Sequence, residues 1–240
     1  MGADFMKKIL SFPVPFLKAY PVVWICFFVA LVTADLVSKK AITESLNFGL
    51  SATQRMEAGV FTNQGMPAET DETNYVSIWG DNGKYIRLRL VFNDRFLFGS
   101  GPSAPVLGIF LTAGAIVFLF FYRWLTYGAG HPLAWLFVFS GATGNLIDKL
   151  FVKSLETREW VFSFGPQKGH VSGVVDFVEC IWFGLDQFQD VFLLKWLAWE
   201  SWPIFNLADS LIVVGIMILV VTIGFAPQEN TSESASGAEK

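Results

Sequence analysis

Along the chain, apolar residues gather into four long blocks. The first runs roughly from Phe12 to Val37 and is interrupted only by Lys18 and Asp35. The second, Phe96 to Tyr122, has 27 residues without a formal charge, and the third, Trp124 to Ile147, has 24. The fourth, Ser201 to Gln228, holds a single charge, Asp209. A helix needs about 20 residues to cross the hydrocarbon core of a bilayer. Backbone amides in that core must be satisfied internally, which favours helices. The pattern predicts four membrane-spanning helices. Lys7 and Lys8 precede the first block, but the apolar run after them exceeds the ~7–15 residues of a signal-peptide core, so it reads as a retained anchor.

The connections are unequal. Inserts of about 38–95 and 150–200 separate spans one from two and three from four, whereas spans two and three nearly touch across Arg123 and Gly128-Ala129-Gly130-His131-Pro132. Four spans place both inserts on one membrane face. Lys and Arg counts leave open which face that is, because long loops are poor witnesses for the positive-inside rule. Strand-type runs between Tyr75 and Asn93 surround the Gly80-Asp81-Asn82-Gly83 turn. There Ile86, Leu88 and Leu90 alternate with Arg87 and Arg89, as in a half-buried hairpin. Trp160 to Phe164 and Val171 to Val175 flank Gly165-Pro166-Gln167-Lys168-Gly169 and suggest a second hairpin. Cys180 to Trp202 is aromatic-rich and reads as interfacial, and residues 226–240 read as a disordered tail.

Composition narrows the function. Hydrophobic residues make up 53% of the chain and charged residues only 16%, against ~25% charged in soluble domains. A net charge of −4 argues against a nucleic-acid partner. Cys26 and Cys180 cannot build a disulfide framework or a four-ligand zinc site, and His131 and His170 nearly exclude multi-histidine chemistry. No metal or cofactor is expected. Cys26 lies in the middle of the first span and reads as a small buried hydrophobe.

Polar groups at membrane depth are costly, and here they cluster. Asp35 and Lys39 close span one, Asn93 precedes span two, and Asn145, Asp148 and Lys149 close span three. Asp176 lies in the second insert, and Asn206 and Asp209 open span four. By the four-span count all of them lie at one membrane face, which points to a site. Structural alternatives exist for several. Asp35 and Lys39 are spaced as a helix-end ion pair, the simpler reading for them. Asp148 and Lys149 could be interfacial charges, Asn93 a loop cap, and Asn145 a bridge between helices brought close by Ser140-Gly141-Ala142-Thr143-Gly144. Asp209 is harder to explain structurally. It lies six residues beyond Pro203, with Asn206 on the same helical face. Asp176 is an acid inside an apolar run. Two carboxylates held together share a proton. One can then activate water while the other protonates an amide carbonyl. That is aspartic-peptidase chemistry.

These residues carry a resemblance. Ser140 to Lys149 (S-G-A-T-G-N-L-I-D-K), Gly173 to Phe177 (G-V-V-D-F) and Phe205 to Asp209 (F-N-L-A-D) resemble the signature blocks of lipoprotein signal peptidase, the signal peptidase II family. Asp35-Leu36-Val37-Ser38-Lys39 and Phe92-Asn93 resemble two further blocks of that family. The resemblance covers about residues 20–225.

The resemblance implies an α-helical integral membrane protein with four transmembrane helices, a small extracytoplasmic β-cradle and a loop or helical flap. Residues 1–225 would form one membrane peptidase domain. It implies an intramembrane aspartic endopeptidase of the bacterial inner membrane, working as a monomer with its active site at the periplasmic face. Its partners would be membrane lipids and a prolipoprotein carrying a diacylglyceryl-cysteine, whose signal peptide is removed just before that cysteine. Asp176 and Asp209 would be catalytic. Asn93, Asn145, Lys149, Asn206, Asp35 and Lys39 would bind substrate or orient the site. Three departures stand out. Lys149 replaces an Arg of the family pattern, Asn93-Asp94-Arg95 lacks a Gly two residues after the Asn, and the loop before Asn206 is long, with a Phe183–Trp199 segment that would modify the flap.

Competing readings are a proton-coupled small membrane transporter using intramembrane Asp and Asn, a Cys or Ser peptidase built on Cys180 or Ser140 with His170, and a non-enzymatic scaffold. The transporter is the leading alternative, although no inverted repeat is evident.

Overall fold

The computed structural model describes residues 21–46, 75–81, 84–94, 105–126, 130–181 and 202–224. Among the described residues there are four helices: α1 (Pro21–Ser45), α2 (Pro105–Leu125), α3 (Pro132–Lys149) and α4 (Leu207–Gly224). Each overlaps one of the four apolar blocks, although α1, α2 and α3 continue beyond the C-terminal ends of theirs. α1 and α2 are long and apolar enough to cross a membrane, and α4 is apolar but shorter.

The helix boundaries have local causes. Trp124 and Leu125 belong to the last turn of α2, not to the start of the next span. The chain then reverses through Gly130, whose φ of +84° suits glycine. It re-enters a helix at Pro132, where a missing N–H is harmless, and the His131 ring accepts from Leu133 N–H at 3.3 Å. α4 begins at Leu207 because Phe205 is held extended, pairing with Val178.

α3 packs against each of the other helices. Its glycines make this possible: a Cβ on Gly141 would lie 2.3 Å from the Ala208 carbonyl oxygen, and one on Gly144 would lie 2.5 Å from Asp35 Oδ2. α2 buries only Ile109 and exposes Phe110, Phe118 and Trp124. Such an apolar exterior suits lipid, not water. Cys26 is also exposed on the outside of α1, so the expectation that it is buried fails; a mid-span position does not say which side of the helix faces the bundle.

Two antiparallel sheets sit at the end of the bundle where α1 and α3 finish. In the first, β1 (Val76–Trp79), β2 (Ile86–Asn93) and β6 (Val174–Cys180) lie in the order β1-β2-β6. The hairpin read from the alternation of Ile86 to Leu90 is therefore present. In the second, β3 (Phe151–Ser154) lies between β4 (Trp160–Phe162) and β5 (His170–Val171). This corrects the expected second hairpin: Trp160 to Phe162 pairs with Phe151 to Lys153, and Val174 onward joins the other sheet. β3 was missed because its four residues carry no alternation and follow α3 almost without a break. Leu46, Leu90, Phe92, Val171, Val175 and Phe177 form a shared core. Arg158 reaches from the β3–β4 turn to the end of α1, donating to the carbonyls of Thr43, Glu44 and Leu46 at 3.1, 3.0 and 2.7 Å. It thereby satisfies helix-terminal carbonyls that lack intrahelical partners.

The aromatic segment between Cys180 and Trp202, including Phe183–Trp199, and the 226–240 tail lie outside the described residues apart from the segment's first and last positions.

Candidate active site

The helix and strand ends bring the polar residues Asp35, Lys39, Asn93, Asn145, Asp148, Lys149, Asp176, Asn206 and Asp209 to one end of the bundle. β2 and β6 set the first pair. Asn93 lies opposite Val174, with a register irregularity between Leu88 and Val91, so Asn93 and Asp176 are diagonal neighbours on one face of the sheet. Asn93 Nδ2 donates to Asp176 Oδ2 at 3.1 Å. Asn206 Nδ2 donates to the other oxygen, Asp176 Oδ1, at 2.6 Å.

Asn206 and Asp209 are placed by the start of α4. Asp209 N–H donates to Asn206 Oδ1 at 2.9 Å, while Asn206 N–H donates to Asp209 Oδ2 at 3.3 Å. This reciprocal pair is a capping box with an Asp at its third helical position. The same turn therefore starts the helix and fixes the Asp209 carboxylate. Asp209 Oδ1 accepts from Asn145 Nδ2 at 2.9 Å. Asn206 thus sits between the two acids, with one amide hydrogen bond to Asp176 and its backbone against Asp209.

Behind this set lies a cluster of buried charges. Lys39 Nζ is 2.8 Å from Asp35 Oδ2 and 3.4 Å from Asp148 Oδ2, and all three side chains are 0% exposed. It also donates to Asn145 Oδ1 at 2.8 Å, which fixes the Asn145 amide so that its nitrogen faces Asp209. Asp148 is also paired with the buried Lys153, whose ammonium donates to Gly173 O at 2.7 Å. The carboxylates then reach the backbone beside each central acid. Asp148 Oδ2 accepts Val175 N–H at 2.8 Å, and Asp35 Oδ1 accepts Ala208 N–H at 2.9 Å. Val175 precedes Asp176 and Ala208 precedes Asp209. The Asp35–Lys39 pair is thus the helix-end ion pair that its spacing suggested, with further bonds to Asp148, Asn145 and Ala208. Lys153 was missed in sequence, although a lysine inside the apolar run Phe151-Val152-Lys153 was a usable signal. Thr112, which accepts from Lys149 Nζ at 2.8 Å, gave no signal at all.

Electrostatics separate the two groups. Burial pushes the Asp176 carboxyl up to about 8, and the neighbouring Asp209 charge adds to the rise, while the amides of Asn93 and Asn206 and the Lys39 charge oppose it. At Lys153 burial acts downward and Asp148 opposes it.

A cavity of about 590 Å³ opens beside the acids. Asn93, Asn145 and Lys149 line its polar end, and Leu119, Val138 and Leu219 lie deeper, between α2, α3 and α4. Among the described residues, no group of His, Cys, Asp and Glu is arranged to hold a metal ion. Cys180, His170 and Ser140 lie on β6, β5 and α3, with the His170 ring against the Lys168 carbonyl at 3.0 Å. No nucleophile–base pair joins them.

The fold is shared with a solved structure. It matches a structure described as a bacterial membrane enzyme solved by the in meso method at 2.3 Å resolution, with a TM-score of 0.50 and 19% identity, covering 91% of this chain and 94% of that one. The sequence resolves the class further. Residues 27–225 match the family described as signal peptidase (SPase) II, and the chain belongs to that family of proteases. It is 39% identical over 143 residues to a lipoprotein signal peptidase of Leptospira biflexa, covering 59% of this chain and 70% of the relative. It is 29% identical over 166 residues to one from Borrelia turicatae, covering 67% and 78%.

Proposed function

We propose that this chain is an aspartic endopeptidase that removes the signal peptide from diacylglyceryl-modified prolipoproteins just before the lipid-modified cysteine, with Asp176 and Asp209 as its catalytic pair. One observation carries the reading: two carboxyl groups, joined through Asn206, are hydrogen-bonded to Asn93 and Asn145, which line an apolar cavity between the helices.

In this mechanism the pair holds one proton at neutral pH. Asp176, pushed up to about 8, carries it. Asp209, held in the first turn of α4 by Asn206 N–H and Asn145 Nδ2, is the partner assigned to water. Asp209 takes a proton from water as that water attacks the scissile carbonyl carbon. Asp176 gives its proton to the carbonyl oxygen. Collapse of the tetrahedral intermediate breaks the C–N bond: the amine leaves with the proton that Asp209 received, and one hydroxyl of the intermediate returns a proton to Asp176, restoring the pair. Asn93 and Asn206 orient Asp176, and Asn145 orients Asp209. Lys149, beside the cavity, and the Asp35–Lys39 pair behind the site hold substrate and scaffold in register.

A lipid-modified cysteine is kept at headgroup depth by its acyl chains. A site at the ends of α3 and α4 meets it there, and the apolar cavity takes acyl chain or signal helix. On this reading residues 1–225 form one monomeric membrane unit in the bacterial inner membrane, crossed by all four helices, with the 38–95 and 150–200 inserts on the periplasmic side. Transport is the weaker reading because the polar residues gather at one end of the bundle instead of marking a path through it.

The test is cleavage by purified protein of the same prolipoprotein with and without its diacylglyceryl group. Asp176→Asn and Asp209→Asn are expected to insert normally and to leave the lipidated substrate intact. Wild-type turnover by either variant overturns the dyad. Equal cutting of unlipidated precursor overturns the substrate assignment.

A further inference from the structure

The second sheet carries an aromatic row that the catalytic reading leaves unused. Phe151 and Phe162 are direct partners across β3 and β4, with ring centroids 5.8 Å apart and edge to face. Phe164 continues the row 5.1 Å from Phe162. Phe162 is 54% exposed and Phe164 60%. A contiguous apolar surface of this kind marks a contact with something other than water.

Three observations fix its height. β3 starts two residues after α3 ends. Ser163 N–H, between the two exposed rings in sequence, donates to Leu150 O at 2.9 Å. Gly165 lies against the first turn of α2, where a Cβ would be 3.7 Å from Val106 Cγ2. Val106 and Leu107 are exposed there, and the apolar exterior of α2 continues through Phe110 and Leu111. The row therefore extends the lipid-facing surface of a membrane helix at the level where that helix begins. None of Phe151, Phe162, Phe164 or Val106 lines the cavity beside the acids, so the row is not a rim of the substrate groove.

We infer that the Phe151–Phe162–Phe164 row is a membrane seat, its occupant the boundary between headgroups and acyl chains of the bilayer. Aromatic side chains favour that zone, and apolar faces seated in it lie about 5–10 Å into the headgroup–acyl boundary. The seat bears on the rest of the molecule through β3. Lys153, two residues from Phe151 on that strand, grips Asp148 and Gly173 behind the site. A sheet resting on lipid thereby holds the scaffold of the acids at constant depth.

The inference goes beyond the catalytic reading and is tested without an activity readout. In a Cys26→Ala/Cys180→Ala background, Phe164→Cys and, separately, Phe162→Cys are labelled with a bimane fluorophore. The full chain is reconstituted into phosphatidylcholine vesicles with plain or acyl-brominated lipid. Glu156→Cys, on the exposed β3–β4 turn, is the water-side control. Brominated lipid is expected to quench the Phe162 and Phe164 labels by about half or more, at the depth given above, with iodide quenching weaker than at Glu156. Iodide quenching equal to the control, with no response to brominated lipid, overturns the seat. So does a label that ignores brominated lipid and responds only to added prolipoprotein, which would make the row a polypeptide-docking surface. Each of the two labelling positions reports independently, so misfolding of one variant leaves the other to decide.

Discussion

Asp148 and Asp176 are both buried acids, 0% and 3% exposed, in adjoining parts of one polar region. Asp148 meets two lysines and a backbone amide. Asp176 meets two neutral asparagine amides and lies within range of another carboxylate. The difference separates scaffold from chemistry. A buried carboxylate bracketed by cations is costly to remove and has no reason to change protonation. One whose hydrogen-bond donors here are neutral amides and whose neighbour is a second acid is free to hold or release a proton, which is what general acid–base work demands. The two groups are coupled, since each scaffold acid takes a backbone N–H immediately before one of the central acids.

Substitutions can break this contrast. The largest effect is expected at the central pair. Asp176→Asn or Asp209→Asn should lower cleavage by about ten-thousand-fold or more, the scale seen when one member of a catalytic unit is removed. Asp176→Asn should unfold in detergent at a temperature no lower than wild type at pH 7, because Asn mimics the protonated acid. Asp148→Asn or Lys153→Met should do the reverse to the fold, leaving an uncompensated buried charge and costing about 3–5 kcal/mol, read as a lowered Tm or poor accumulation in the membrane. A marked stability loss in Asp176→Asn and none in Asp148→Asn would invert the comparison.

An intermediate effect is expected where the two groups meet. Asn145→Ala removes the link between Lys39 and Asp209 and should cost about 1.5–3 kcal/mol of transition-state stabilisation, roughly ten- to a hundredfold in kcat/KM. The pH profile sharpens the contrast further. The Asp176 carboxyl sits at about 8 in the folded chain, above its ordinary 3.8. Its contribution to stability is therefore complete below about pH 4 and is lost as pH rises through about 8. The alkaline limb of kcat should fall near the same pH, because the pair then loses its shared proton. The smallest effect is expected at Thr112→Val, which frees the Lys149 ammonium beside the cavity and should change KM by about tenfold, the low end of the scale for a hydrogen bond from a charged group.

Much of the site was legible in the chain because cost is legible. A lone acid in Leu207-Ala208-Asp209, or one in Val174-Val175-Asp176-Phe177, has few structural excuses in an apolar setting. Helix position was equally plain, since long uncharged blocks have few other uses. What sequence could not show was partnership across distance. Lys153 drew no notice until β3 placed it against Asp148, and Asn145 looked like a helix bridge until Lys39 fixed its amide. The second sheet was hidden for a related reason: β3 has no alternation to read, and its partners lie on either side of a glycine-rich turn that looks like a hairpin.

The most direct test of the shared proton is infrared difference spectroscopy of the purified protein across pH 6 to 10. A protonated carboxyl C=O band should be present at pH 7, shift on hydrogen–deuterium exchange, disappear near pH 8, and be missing in Asp176→Asn. A band that survives in Asp176→Asn, or no titration between pH 7 and 10, would contradict the assignment of the catalytic proton to that acid.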